Sequence, residues 1–140
     1  MTIPISDLAH LRLTVTDIVK SRAFYDAVFG FPVLYEAPPA DASESEKARL
    51  SFLFGGVIYL VGGKAFGLRP VAPAGDRYDE DRVGLDHLSF AVPGVADLEA
   101  AIRLLDDLGI AHGGIKNIGS GSIVEFRDPD NIALELFTVA

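Results

Sequence analysis

The chain contains no cysteine, which excludes a disulfide framework and a thiolate metal site. That fits a reducing compartment. No apolar run approaches the roughly 20 residues needed to span a bilayer. Met1 to Leu8 holds no basic residue and no long apolar stretch, so these residues do not read as a signal peptide. Positive charge is scarce: 12 Lys and Arg stand against 20 Asp and Glu, a net −8 at pH 7. That balance argues against nucleic acid and anionic membrane as partners. The absences leave a soluble, cytoplasmic protein as the expectation.

What is present is a repeated pattern. His10-Leu-Arg-Leu-Thr-Val-Thr-Asp17 and Asp86-His-Leu-Ser-Phe-Ala-Val92 each show a histidine followed by strict alternation. Period-two alternation predicts a strand with one buried face. A helix is expected after each. Asp17 or Thr16 supplies the first N-cap and Gly30 the stop. Val95 to Leu108 is the second helix, ended by Gly109. Strands are expected at Phe31–Ala37, Leu50–Phe54 and Val57–Val61, with Gly55-Gly56 as a hairpin turn. The Pro38 to Lys47 segment reads as a mobile loop. In the second half a short strand starts at Ile110–His112. Ser122–Arg127 and Ile132–Thr138 pair across Asp128-Pro129-Asp130-Asn131. The expected organisation is a single domain over 1–140, with a first module at 8–62, a connector at 63–85 and a second module at 86–138.

Alternation also sorts side chains between faces. Leu11, Leu13, Val15, Phe52, Phe54, Leu88, Phe90, Val92, Val124, Phe126, Leu134 and Leu136 are expected under the helices. The opposite face collects His10, Arg12, Leu53, Ile58, Leu60, His87, Ser89, Ile123, Glu125, Arg127, Glu135 and Phe137. Such a mixture of apolar walls and polar groups suits a ligand cavity, although the polar members also fit a solvated surface. Two imidazoles and a carboxylate, His10, His87 and Glu135, can occupy one side of a divalent metal. From spacing alone, structural strand histidines are the competing reading. Glu125 is a candidate general acid or base, or a solvent-facing partner of Arg127. Arg12 can grip a carboxylate or phosphonate through its planar fork, or pair with an acid on its own face. Ser89 and Arg127 complete the substrate-binding candidates. His112 is expected at the surface and Tyr59 in the core.

These two His-led strands resemble a known pattern when joined to Ser21-Arg-Ala-Phe-Tyr25, Phe29-Gly-Phe31 and Phe126-Arg-Asp-Pro-Asp-Asn-Ile-Ala-Leu-Glu-Leu136. Together they resemble the vicinal oxygen chelate superfamily, which includes glyoxalase I, bleomycin-resistance proteins, fosfomycin-resistance thiol transferases, methylmalonyl-CoA epimerase and extradiol dioxygenases. The resemblance spans nearly the whole chain and is specific for the superfamily, not for one reaction. It implies an α+β fold of paired βαβββ modules forming a cupped mixed sheet. It implies one divalent transition-metal ion per chain (Fe, Mn, Ni, Co or Zn) held by His10, His87 and Glu135. It also implies a small-molecule substrate and a homodimer.

Departures from the pattern narrow the activity. The fourth ligand position of glyoxalase I is expected at Leu60, which cannot ligate. Extradiol dioxygenases carry a tyrosine and a histidine where this chain has Glu125 and the His-free run Lys116 to Ser120. The resulting expectation is a metal-dependent, glyoxalase-like lyase, isomerase or thiol transferase. The alternative is a non-catalytic binder of the bleomycin-resistance type, with extradiol-type dioxygenase chemistry behind both.

Overall fold

The structure, a computed structural model, describes all 140 residues. They form two compact units, Met1–Ala74 and Gly75–Ala140. The first contains β1 (His10–Thr14), α1 (Ile18–Val28), β2 (Val33–Glu36), α2 (Glu44–Arg49), β3 (Val57–Val61) and β4 (Lys64–Arg69). The second contains β5 (Leu88–Ala91), α3 (Val95–Asp107), β6 (Lys116–Asn117), β7 (Gly121–Arg127) and β8 (Ala133–Val139). The sheet orders are β1-β4-β3-β2 and β5-β8-β7-β6. In each sheet the first strand runs parallel to the last, and the other neighbours are antiparallel. The α+β class and the paired βαβββ modules expected from the sequence are therefore present. No helix is long and apolar enough to cross a membrane.

Local chemistry explains the shared strand-to-helix step. The Asp17 carboxylate accepts from the amides of Val19 and Lys20 at 2.9 and 3.2 Å, satisfying two donors at the helix start. At the other end Phe29 and Gly30 both donate to the Tyr25 carbonyl, and Gly30 takes a φ of 60°, the left-handed position that closes a helix. In α3 the Asp97 carboxylate reaches back to the Gly94 amide at 2.9 Å, half of a capping box. Tyr25, Tyr59, Phe66 and Leu68 fill the core of the first unit; Leu98, Leu105, Val124 and Leu134 fill that of the second. The buried Tyr59 hydroxyl donates to Asp26 at 2.7 Å.

The first module departs from expectation between residues 44 and 69. Glu44–Arg49 is helix, not mobile loop, and Ser51–Leu53 is a single 3-10 turn, not a strand. Ser43 caps α2 by accepting from the Glu46 amide. Acids in its first turn and bases in its last match the helix dipole. Leu53 is consequently buried, while Phe52 and Phe54 are 43% and 55% exposed, the reverse of the assignment by alternation. The hairpin turn is Gly62-Gly63, with φ of 55° and 79°. It joins β3 to β4 with Val61 opposite Lys64, as a two-residue turn with positive φ at both positions does. The segment expected as a connector from residue 63 thus begins with a sheet strand. Ile110–His112 contributes a single bridge, His112 to Phe126, and the short strand is β6 instead.

This register relocates the duplicate of Glu135. β5 pairs with β8 through Ser89 and Glu135, and β1 pairs with β4 through Arg12 and Gly67. The position matching Glu135 is therefore Gly67, not Leu60. Likewise Glu125 lies opposite Glu135, and its match, Ile58, lies opposite Gly67.

Candidate functional site

In the second unit α3 covers the apolar face of β7 and β8, which buries Val124, Phe126, Leu134 and Leu136. Period two then sends Ser89, Glu125 and Glu135 to the open face. His87 immediately precedes β5. Its Nδ1 lies 2.5 Å from Asp86 Oδ1, and its Nε2 lies 3.9 Å from Glu135 Oε2. Ser89 Oγ donates to the other Glu135 oxygen, Oε1, at 2.7 Å. The Glu135 side chain is only 12% exposed. Asp86 raises the His87 pKa above its ordinary value; burial opposes this, and Glu135 and Glu125 add to the rise.

An imidazole nitrogen and a carboxylate oxygen 3.9 Å apart are donor types that suit a divalent cation. A carboxylate on Nδ1 leaves Nε2 as the coordinating nitrogen, and a hydroxyl on one carboxylate oxygen leaves the other turned toward the imidazole. Metal-binding histidines and carboxylates are held by such outer partners. Imidazole and carboxylate suit first-row divalent metals. Glu125 directly opposite Glu135 adds a second carboxylate, and like charges at that spacing are unfavourable until a cation answers them. His10 opens β1 in the first unit. No cluster of three or more His, Cys, Asp or Glu side chains with metal-holding geometry forms.

Two of the substrate-binding candidates are engaged by carboxylates of the chain. Ser89 gives its hydroxyl to Glu135. Arg127 makes two hydrogen bonds to Glu80, at 2.5 and 2.9 Å, and a third to the Asn131 carbonyl. Arg127 holds the Glu80 carboxyl down to about 2. The same segment is pinned again at Tyr78, whose amide donates to the Asp130 carbonyl and whose carbonyl accepts from Asn131 Nδ2. The Tyr78 hydroxyl donates to the carbonyls of Leu85 and Asp86, immediately before His87. Sequence reasoning missed this clasp, because its two sides lie some 50 residues apart. His112, expected at the surface, is tucked in, with Nε2 2.9 Å from Asp106 and Nδ1 2.7 Å from the Gly113 carbonyl.

The open face of the first sheet differs. Arg12 lies over Gly67, where an added Cβ would come 3.0 Å from Arg12 Cγ. Its guanidinium donates to the Phe52 carbonyl at 2.7 Å. Arg69, unassigned in the sequence reading, stands over the Phe54 ring at 4.3 Å. The Gly62-Gly63 pair between two apolar runs is the signal that would have put Arg69 on a strand, had it been read as the hairpin turn. A groove of about 410 Å³ lined by Arg22, Asp26 and Glu36 is also present. Its charges are matched, since Arg22 bonds both acids.

Two βαβββ modules, each led by a histidine and one carrying a supported histidine–carboxylate pair, define a protein of the vicinal oxygen chelate class. The chain belongs to the Glyoxalase/Bleomycin resistance protein/Dioxygenase superfamily, whose sequence pattern matches residues 7–136. It is 29% identical over 130 residues to the uncharacterized protein YaeR of Escherichia coli (strain K12), covering 91% of this chain and 92% of that one. It is similar to the crystal structure of a glyoxylase/bleomycin resistance protein/dioxygenase domain from Frankia sp. EAN1pec, with 29% identity, TM-score 0.77 and coverage of 98% and 94% of the two chains. A fosfomycin resistance protein, FosX, from Listeria monocytogenes shares the fold at 21% identity and TM-score 0.72, over 98% of this chain and 95% of that one. That structure is a variant complexed with Mn(II) and 1S,2S-dihydroxypropylphosphonic acid.

Proposed function

We propose that the protein is a divalent-metal-dependent enzyme of the glyoxalase-like kind, a lyase, isomerase or thiol transferase. It acts on a small oxygenated substrate able to chelate the metal, and it works as a homodimer. The supporting observation is the His87–Glu135 pair with Asp86 and Ser89 behind it. His87, Glu135 and His10 would hold one ion per chain, of Fe, Mn, Ni, Co or Zn. Bound there, the ion would supply Lewis-acid polarisation of a substrate oxygen. The Mn(II) complex of FosX lends the reading support from the same fold.

The chain's own residues supply the rest. Asp86 keeps the proton of His87 on Nδ1. Ser89 fixes the Glu135 rotamer. Glu125 is exposed and paired across the ladder with Glu135, which suits it to take a proton from substrate and return it. Because Ser89 and Arg127 are engaged by Glu135 and Glu80, substrate binding falls chiefly to Arg12. A second reading, a binder without chemistry, is favoured by the exposed aromatic shelf of Tyr35, Phe52 and Phe54.

Metal content separates the two readings. Elemental analysis of purified protein, before and after incubation with Mn(II), should find about one ion per chain, lost in His87→Ala. Glu125→Gln should then abolish turnover of an identified substrate while retaining the ion. A wild-type chain that takes up no Mn, Fe, Ni, Co or Zn would remove the enzyme reading and leave the binder.

A further inference from the structure

The first sheet carries two guanidinium groups that no carboxylate answers. Arg12 on β1 and Arg69 on β4 take part in none of the salt bridges. This is unexpected in a chain with 20 acids and 12 bases. The Nε of Arg12 is buried without a hydrogen-bond partner. A buried donor left without an acceptor is unfavourable, so the arrangement carries a cost as it stands.

The geometry around the pair is built for it. Arg12 and Gly67 are register partners, as are Thr14 and Arg69, so both arginines share one face of adjacent parallel strands. Gly67 has no side chain, and the Arg12 stem occupies that space. Phe54 is held at a φ of 52° and offers its ring to Arg69 at 4.3 Å and to Arg12 at 5.9 Å. Cation–π contact directs the guanidinium groups without neutralising them. Phe52 and Tyr35, in edge contact with ring centroids 5.8 Å apart, extend an exposed apolar surface.

We propose that Arg12 and Arg69 form an oxyanion site, taking a carboxylate or phosphonate, with the ligand's apolar body resting on Phe54 and Phe52. The proposal rests on the reading of this face as a ligand face, and it names the substrate class as anionic. Planar guanidiniums suit such groups because paired N–H donors match two oxygens. The register gives the site a further meaning. Gly67 stands where the second module has Glu135, and Arg12 where it has Ser89, so at these matched positions one copy offers a carboxylate and the other a guanidinium.

The test is calorimetric titration of the full-length, metal-free protein with phenylphosphonate, benzoate and the neutral control benzyl alcohol. The two anions distinguish a phosphonate from a carboxylate preference. Saturable binding of at least one anion is expected, weakened about tenfold or more in Arg69→Gln, with benzyl alcohol not bound. Arg12→Gln should act in the same direction, but its stem is packed, so Arg69→Gln with an unchanged melting temperature carries the decision. Arg69→Gln should keep Mn(II) binding, which separates loss of the anion site from loss of the metal site. No saturable anion binding, equal binding of benzyl alcohol, or an Arg69→Gln variant that binds as wild type would overturn the proposal. A chain that binds the anion yet no metal would sink the metal reading and leave this one standing.

Discussion

Ser89→Ala should weaken divalent-metal binding about tenfold or more. The Ser89 hydroxyl donates to Glu135 Oε1 at 2.7 Å, a charge-assisted bond worth roughly 1.5–3 kcal/mol. Water cannot readily replace it, because the Glu135 side chain is 12% exposed. Without the hydroxyl, Glu135 is free to rotate away from His87. Loss of an outer partner of a metal ligand typically costs about 10–100-fold in affinity, which agrees with the hydrogen-bond figure after conversion. Mn(II) binding, followed by electron paramagnetic resonance of the free ion, measures this directly. Ser89→Thr should restore most of the affinity, since it keeps a hydroxyl. If Ser89→Ala binds Mn(II) as tightly as wild type, either Glu135 is no ligand or its orientation does not depend on Ser89.

Other expectations follow from neighbouring contacts. Tyr78→Phe removes the donor to the Leu85 and Asp86 carbonyls. It should loosen the approach to His87, lowering Mn(II) affinity several-fold while costing only about 1 kcal/mol of stability in denaturant unfolding. His112 has acceptors at both ring nitrogens, which favours the doubly protonated ring; its pKa is raised by the Gly113 carbonyl and then by Asp106. A raised folded-state pKa gives stability that is full below the unfolded value, about 6.5, and is lost as pH rises through the folded value. The melting-temperature gap between wild type and His112→Gln should therefore be wide near pH 5 and narrow near pH 8.5. A gap that widens with pH would refute the assignment.

Legibility in the sequence followed the range of the interactions. The His-led strands, the Asp17 cap, the Gly30 stop and the Asp128–Asn131 turn depend on residues a few positions apart, and each is where alternation and turn chemistry put it. Asp128, buried in that turn, accepts from the amides of Asp130 and Ile132. The central part of the first module was harder because two Gly-Gly pairs, 55-56 and 62-63, compete for one hairpin. Alternation in Leu50–Phe54 favoured the first pair. The capped α2 and the left-handed Phe54 decide for the second. That choice moves a whole strand, and with it the position that matches Glu135. Arg69 and Gly67 were lost to the connector for this reason alone. The Tyr78 and Glu80 clasp had no local signal at all.

The two modules can diverge in chemistry because the pleat separates folding from function. Register partners on the inner face stay apolar in both copies: Leu11 with Phe66 and Leu13 with Leu68, Leu88 with Leu134 and Phe90 with Leu136. Their outward neighbours, Arg12 with Gly67 and Ser89 with Glu135, have little in common. Transplanting the first pair into the second sheet, as Ser89→Arg with Glu135→Gly, tests the separation. The buried faces are untouched, so the variant should fold, with a stability loss near the roughly 1 kcal/mol expected for glycine in a strand. It should bind no Mn(II), because the carboxylate ligand is gone and a cation stands in its place. Circular dichroism and the melting temperature read the first expectation, and Mn(II) titration the second. A variant that fails to fold would show that Glu135 and Ser89 hold the sheet together as well as the metal, and the division of labour between the two faces would fall.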